Sequence, residues 1–172
     1  MNDNIVLIGF MGSGKTTFGR WISRKHGYNF CDTDEYIEQK EHTTINDIFA
    51  AKGEEAFRDM ETDTVREFAC SLKKSVLSVG GGLPLRKVNR ELLKQVGTVV
   101  YLKASEDELC RRLRKDTTRP LLKGGNNEKR GEGFHPLPFY GKSLFTMRAG
   151  RALRSAQASS LWCGRSASTR PS

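Results

Sequence analysis

Eight residues near the start of the chain, GFMGSGKT at positions 9–16, match the pattern G-x-x-x-x-G-K-[ST] at every position. Glycines in such a loop let backbone N–H groups turn inward around an anion, and the positive end of a following helix reinforces the attraction. The lysine adds a point charge for the outer phosphates, and the last hydroxyl is placed to ligate Mg²⁺. The motif therefore predicts nucleotide binding, with a plain tight turn between a strand and a helix as the alternative.

The same motif names the candidate nucleotide contacts. We expect the phosphates and their Mg²⁺ to be held by Gly12, Ser13, Gly14, Lys15, Thr16 and Thr17.

Two carboxylates end the second predicted strand, in the tripeptide DTD at Asp32 and Asp34. Open α/β sheets bind ligands at the carboxyl ends of their strands, and residues two apart on a strand share a face. We therefore expect both side chains in one cleft, one near the metal and one near an acceptor hydroxyl. A solvated turn with a helix cap is the alternative.

The third predicted strand runs directly into three glycines, Gly80, Gly81 and Gly82. Bare backbone there would let a small substrate lie against the peptide groups. Arg58 precedes Glu61 by one turn on a helix whose neighbouring positions are apolar, so we expect it to point into the cleft and bind a substrate carboxylate. An ion pair between Arg58 and Glu61 within the helix is the alternative.

The elements that would position these residues follow from the apolar pattern. Strands are predicted at residues 5–10, 28–32, 75–79 and 97–102, and helices at 15–25, 44–49, 54–72 and 89–95, with Ser105 and Glu108 capping a further one. Strands that alternate with helices predict an α/β fold with a doubly wound parallel sheet.

The chain's 172 residues are enough for one domain with a proper core. No apolar run is long enough for a bilayer, so we expect no membrane span and take the cytoplasm as the default location. The four cysteines and three histidines are dispersed, and no metal cluster built from them is predicted.

Together the motifs closely resemble the shikimate kinase family. The resemblance rests on GFMGSGKT, DTDEYIE, TINDIFAAKGEEAFRDMET, LSVGGGLPLRKVNRELL and RRLRKDTTRPLL, and it covers residues 4 to about 128. It implies a P-loop α/β/α fold with strand order 2-3-1-4-5, acting as a monomer. It also implies MgATP-dependent phosphorylation of the 3-hydroxyl of shikimate, on the pathway to chorismate and aromatic amino acids.

On the nucleotide side, the resemblance implies that Lys15 stabilises the transferring phosphoryl group, that Thr16 ligates Mg²⁺ and that Asp32 holds the metal through water. Arg112 would stack on adenine. Arg119 would begin a mobile lid and reach the phosphates on closure.

On the acceptor side, the resemblance implies that Asp34 binds the shikimate hydroxyls and orients or deprotonates the nucleophile. Arg58 would bind the substrate carboxylate. Gly80, Gly81 and Gly82 would complete the substrate pocket.

The resemblance stops before the end of the chain, which divides the sequence into a kinase core at 1–128 and a tail at 129–172. The core carries 21 basic and 19 acidic residues and the tail 8 and 1, so most of the net charge of +9 lies in the tail. The tail lacks the R-x-P-x-Y motif of the family, whose arginine also binds the shikimate carboxylate. It contains no Val, Ile or Asp, so we expect the family's last strand to be missing or replaced and residues 99–102 to form an uncovered sheet edge.

Two interpretations of the tail are open. It is either the product of a wrong reading frame, natural or from sequencing, or a genuine basic extension that contacts nucleic acid or acidic surfaces. The corresponding functions are a shikimate kinase, impaired if its second carboxylate-binding arginine is lost, and a P-loop nucleotide-binding protein with an interaction tail and no kinase turnover. The kinase is favoured, and nucleic acid is not the expected partner.

Overall fold

The computed structural model describes residues 3–105, 108, 109 and 111 and the backbone of 144–148. The strands are β1 Ile5–Ile8, β2 Asn29–Asp32, β3 Ser75–Ser78, β4 Thr98–Lys103 and β5 Leu144–Arg148. The helices are α1 Lys15–His26, α2 Thr33–Glu41, α3 Ile45–Ser71 and α4 Lys87–Val96, with a 3₁₀ turn at Leu83–Leu85. The strands pair in parallel in the order β2-β3-β1-β4-β5, which confirms the predicted α/β class and strand order. Within the described part of the chain, no helix combines the length and apolar character needed to cross a membrane.

Both faces of the central strands are covered, which explains their continuous apolar sequence. Alternation along β1 sends Leu7 to one face of the sheet and Val6 and Ile8 to the other. On the Leu7 face, α1 packs through Phe18 and Ile22. The opposite face is covered by α3 and α4 through Val65, Phe68, Leu93 and Val96. This arrangement forms the three layers that hold the strand ends in place.

The long helix α3 is two helices joined at a kink, as the sequence predicted. Gly53 has φ 81° and ψ 173° inside α3, a backbone conformation that side chains disfavour. Ile48 from the first half and Phe57 from the second pack together with Ile37 of α2. The cluster holds the two halves and α2 as one unit, so the second half of α3 has a fixed direction towards the sheet.

The expectation of an uncovered edge beside β4 is wrong. Residues 144–148, sequence LFTMR, pair in parallel with β4 from Val99 opposite Leu144 to Lys103 opposite Arg148. Ladder hydrogen bonds come from the backbone, and strand preference depends strongly on context, so the lack of Val and Ile was too narrow a criterion.

A single buried amide joins the amino ends of three strands. The Asn4 Nδ2 donates to the carbonyl oxygens of Leu72 and Val96, at 2.9 and 3.0 Å, and the Ser75 N–H donates to Asn4 Oδ1 at 3.0 Å. These contacts lie at the end of the sheet opposite the expected ligand side.

Candidate active site

The turn between β1 and α1 depends on glycine for its shape. Gly9, Gly12 and Gly14 have φ of 148°, 76° and 95°, all in the region that L side chains disfavour. A Cβ atom on Gly9 would lie 2.6 Å from the Leu102 carbonyl oxygen and 2.9 Å from Ser13 Oγ. The loop therefore approaches β4 more closely than any residue with a side chain would allow.

Polar groups of this loop are arranged for an anion. Lys15 Nζ donates to the carbonyl oxygens of Gly9 and Phe10, at 2.8 and 3.0 Å, so its side chain folds back over the loop. Ser13 is buried, and its Oγ has no hydrogen-bond partner among the described residues. A buried hydroxyl left unsatisfied costs free energy, and a phosphate oxygen would satisfy it. The loop thus fits the phosphates of a nucleotide.

An oxygen pair suited to Mg²⁺ lies at the start of α1. Thr16 Oγ1 donates to Asp32 Oδ2 at 3.3 Å. The other oxygen, Asp32 Oδ1, accepts from the Asp34 N–H at 3.0 Å and caps α2. Hydroxyl and carboxylate oxygens are the ligands Mg²⁺ prefers, so the pair fits the metal predicted there. Both interpretations of Asp32, cap and metal-side carboxylate, are compatible because they use different oxygens.

The two acids of the DTD motif do not share a strand face, contrary to expectation. β2 ends at Asp32 and α2 begins at Thr33, so Asp34 lies in the first turn of a helix. Asp34 nonetheless reaches the glycine turn, because a Cβ on Gly80 would lie 2.7 Å from Asp34 Oδ1. Asp34 thus reaches the glycine turn from the first turn of a helix and not from the strand.

Thr33 is a site residue that sequence reasoning missed. It is fully buried, and its Oγ1 accepts from the Gly80 N–H at 3.0 Å. This bond fixes the start of the glycine turn beside Asp34. Its position between two acids at a strand end was the signal that could have identified it.

Arg58 forms the predicted ion pair with Glu61 and also lies at the glycine turn; its binding of a substrate carboxylate stays a prediction. Its Nη1 donates to Glu61 Oε2 at 2.9 Å, while Nε and Nη2 donate to Glu54 Oε1 at 3.3 and 2.9 Å. At the same time its guanidinium lies against the glycine turn, because a Cβ on Gly82 would be 2.5 Å from Nη1. Arg58 is therefore held in place by acids of its own helix while it faces the pocket.

Burial and ion pairing shift the pKa values of Glu61 and Arg58. Burial raises the pKa of Glu61, which is 1% exposed; the Arg58 guanidinium opposes the rise and the Asp34 carboxylate adds to it. Burial alone would lower the pKa of Arg58, but its hydrogen bonds to Glu61 and Glu54 outweigh burial and raise it. Arg58 is thus a permanent cation at the pocket.

The middle glycine of the turn, Gly81, lies close to the phosphate loop. A Cβ on Gly81 would lie 3.5 Å from the Met11 N and 3.9 Å from the Gly9 carbonyl oxygen, both in the phosphate loop. The structure therefore brings three groups together at the carboxyl ends of β1, β2 and β3. They are the phosphate loop, the oxygen pair of Thr16 and Asp32, and the glycine turn with Asp34 and Arg58 beside it. Thr17 is exposed on α1, and the predicted contacts Arg112 and Arg119 lie outside the described residues.

The family model for shikimate kinase matches residues 11–158. The chain belongs to the shikimate kinase family. The shikimate kinase of Geobacter metallireducens is 44% identical over 127 residues, which cover 74% of this chain and 70% of that protein. That of Dictyoglomus turgidum is 43% identical over 143 residues, 81% and 83% of the two chains.

Solved structures agree with this assignment. A shikimate kinase from Acinetobacter baumannii in complex with shikimate is 44% identical, with a TM-score of 0.68 over 73% of this chain and 70% of that one. A gluconokinase from Sinorhizobium meliloti, 20% identical with a TM-score of 0.53 over 88% and 85% of the two chains, shares the fold alone. Shikimate kinases phosphorylate shikimate with ATP and Mg²⁺ in aromatic amino acid biosynthesis, so the predicted family and reaction class are confirmed.

Proposed function

We propose that this chain transfers the γ-phosphoryl group of ATP to the 3-hydroxyl of shikimate. The observation that carries the proposal is the closeness of Gly81 to the phosphate loop, since a Cβ on Gly81 would lie 3.5 Å from the Met11 N. This closeness supports an acceptor pocket in which Arg58 and Asp34 bind the substrate beside the loop that fits the phosphates. Phosphoryl transfer needs this proximity, since catalysis is mostly positioning and charge stabilisation.

On the donor side, the backbone of the loop and the Ser13 hydroxyl hold the phosphates. Lys15 exchanges its bonds to the Gly9 and Phe10 carbonyls for the phosphoryl oxygens and stabilises the charge that develops on them. Thr16 and Asp32, which lie within hydrogen-bond distance of each other, would hold Mg²⁺. Bound Mg²⁺ neutralises phosphate charge and orients the outer phosphates for transfer.

On the acceptor side, Arg58 binds the shikimate carboxylate and Asp34 accepts a hydrogen bond from a ring hydroxyl. Asp34 thereby orients the 3-hydroxyl oxygen towards the phosphorus and takes its proton as the new P–O bond forms and the bond between the γ-phosphorus and ADP breaks. Glu61 keeps Arg58 at the pocket. Gly80, Gly81 and Gly82 let the ring of the substrate lie against bare backbone.

The remaining parts of the proposal concern partners and the outer site. Arg119 contacts the phosphates on closure and Arg112 stacks on the adenine. The chain acts as a monomer in the cytoplasm, where ATP is available, with shikimate as its partner and neither membrane nor nucleic acid.

The test is release of ADP by the purified chain with MgATP, with and without shikimate. Shikimate-stimulated release, with shikimate 3-phosphate identified by mass spectrometry, supports the proposal. Nucleotide binding without any stimulation, combined with salt-sensitive binding to RNA, would instead support a P-loop protein with an interaction tail.

A further inference from the structure

Arg86 crosses from the glycine turn to helix α3. It follows Gly82 by four residues, and its Nη1 donates to Asp59 Oδ1 at 2.6 Å and approaches Thr62 Oγ1 at 3.5 Å. Its Nη2 pairs with Glu55. The three partners stand at i, i+4 and i+7, so Arg86 binds one face of α3 over two turns.

The face of α3 that Arg86 binds is next to the face that carries Arg58. Glu54, Arg58 and Glu61 also stand at i, i+4 and i+7, displaced by one residue from the Arg86 partners. Thr62 Oγ1 donates to the Arg58 carbonyl oxygen at 3.0 Å, which joins the two faces. Any shift of α3 relative to Arg86 therefore shifts the backbone of Arg58.

Two arginines connect the glycine turn and α3, one from each side. Arg58 reaches from α3 to the turn at Gly82, and Arg86 reaches from beyond the turn to α3. The intervening residues are held in their own right: the Leu85 N–H donates to the Gly82 carbonyl at 3.0 Å, and Arg90 Nη1 donates to the Pro84 carbonyl at 2.9 Å. The segment between Gly82 and Arg86 is thus stiff enough to pass on a displacement.

The two carboxylate partners of Arg86 are exposed, Glu55 by 85% and Asp59 by 67% of their side chains. Ion pairs of this kind contribute little to global stability. Their geometric effect is larger, because a misplaced binding group weakens substrate binding even where the fold is intact.

We infer that Arg86 is a positioning residue for the acceptor: by binding the Glu55, Asp59 and Thr62 face of α3, it sets the separation between Arg58 and the glycine turn. The inference rests on the proposed function, since it concerns the shikimate pocket. It predicts that loss of Arg86 weakens recognition of shikimate selectively, while the nucleotide site is unaffected.

The first experiment compares steady-state kinetics and thermal unfolding of the full chain with those of Arg86→Gln. We expect KM for shikimate to rise about 3- to 10-fold and KM for ATP to change by less than about twofold. The melting temperature should change by less than about 4 °C. Arg66→Gln is the matched control, because Arg66 pairs with Asp63 on an exposed part of α3 at 2.7 Å. It should leave both KM values unchanged.

The second experiment removes the same contact from its other end. Asp59→Asn should raise KM for shikimate. The double variant, Asp59→Asn with Arg86→Gln, should have a KM no higher than that of the more affected single variant, because the two substitutions remove the same contact between Arg86 and Asp59. Arg86→Lys should be intermediate, since one ammonium group cannot reach two carboxylates as a forked guanidinium does. Additive losses in the double variant would overturn the inference.

The experiments distinguish failure of the inference from failure of the proposed function. If the unmodified chain turns over shikimate while Arg86→Gln and Asp59→Asn keep its KM, the inference alone is overturned. Equal rises of KM for shikimate and KM for ATP would also overturn the inference. So would a rise of KM for shikimate that accompanies a large fall of the melting temperature in both Arg86→Gln and Asp59→Asn, because the effect would then be merely structural. If the unmodified chain neither binds shikimate in calorimetry nor phosphorylates it, the proposed function fails and the inference fails with it.

Discussion

The guanidinium of Arg58 lies beside Gly82, with Nη1, Cζ and Nη2 at 2.5, 2.8 and 2.8 Å from the position a Cβ on Gly82 would take. Distances this short leave no room for a Cβ at position 82 while the edges of the guanidinium keep their hydrogen bonds. Two edges are used by Glu61 and Glu54. The turn and the arginine therefore fit each other only if residue 82 has no side chain.

Gly82→Ala should consequently displace Arg58. The backbone of Gly82 has φ −86° and ψ −20°, which alanine adopts without strain, so the effect comes from the added methyl group alone. We expect KM for shikimate to rise about tenfold or more with little change in KM for ATP. Steady-state kinetics with each substrate varied in turn would measure this, and an unchanged KM for shikimate would contradict the assigned role of Arg58.

Lys15→Ala should remove the main cation of the phosphate loop. Loss of one well-placed charge or donor in a preorganised site lowers the rate by about 100- to 1,000-fold. Lys25→Ala is a suitable control, because Lys25 is exposed at the end of the same helix and lies over the Trp21 ring. The measurement is shikimate-dependent release of ADP. Similar rates for the two variants would show that Lys15 does not act on the phosphoryl group.

Thr16→Val should weaken the metal site without disturbing the helix. The hydroxyl that contacts Asp32 is lost, so about tenfold more Mg²⁺ should be needed for half-maximal rate at saturating ATP. Asp32→Asn should do the same while keeping the cap on α2, because asparagine is also a good capping residue. Thr98→Val, at the opposite end of the sheet, serves as control. Magnesium curves that coincide for all three variants and the unmodified chain would exclude the proposed ligands.

Glu61 should give the stability a particular pH dependence. Burial raises the pKa of Glu61, so the folded chain holds this proton more tightly than the unfolded chain does. Its contribution to stability is then present at acid pH and is lost as the pH rises through the folded pKa. The glutamine of Glu61→Gln cannot ionise, so the stability of that variant should not show this decrease with rising pH.

The free energy of unfolding of the unmodified chain should therefore fall, relative to that of Glu61→Gln, as the pH rises from mildly acidic to neutral. Urea unfolding of both proteins over this range provides the comparison. A difference that grows in the opposite direction would mean that the pair with Arg58 dominates over burial.

Removal of residues 129–172 tests the predicted division of the chain. The deletion takes away β5 and exposes the backbone of β4, and exposed edges promote association between chains. We expect the shortened chain to unfold at lower urea and to aggregate. Retention of full stability would mean that 1–128 is a complete core. The wrong-frame interpretation of the tail remains a prediction, to be checked by resequencing the locus and by tryptic peptides of the natural protein.

The parts of the fold with a strong local signal were predictable. The loop at Lys15, the glycine turn and the kink at Gly53 follow from residues whose backbone or charge requirements are visible in the sequence itself. Helix α2 was missed because only Thr33 and Ile37 are buried on it, so it has almost no apolar period. Its usable signals were the Asp32 cap, the acids Asp34 and Glu35 in its first turn and Lys40 in its last.

Other features were unpredictable because they depend on distant partners. β5 is recognised by its pairing with β4, not by its composition. Arg86 meets Asp59 and Glu55 across 27 and 31 residues of sequence, so no local spacing could indicate the contact. The same is true of Thr33, whose role exists only once the fold brings Gly80 to it.

Asn4 has a consequence for anyone who wishes to redesign this enzyme. Its amide fastens the amino ends of β1, β3 and β4 from within the protein, far from where the phosphate loop and the glycine turn meet. Mutational libraries aimed at new acceptors can therefore be confined to the carboxyl end of the sheet, while the fastening at the other end keeps the scaffold in register.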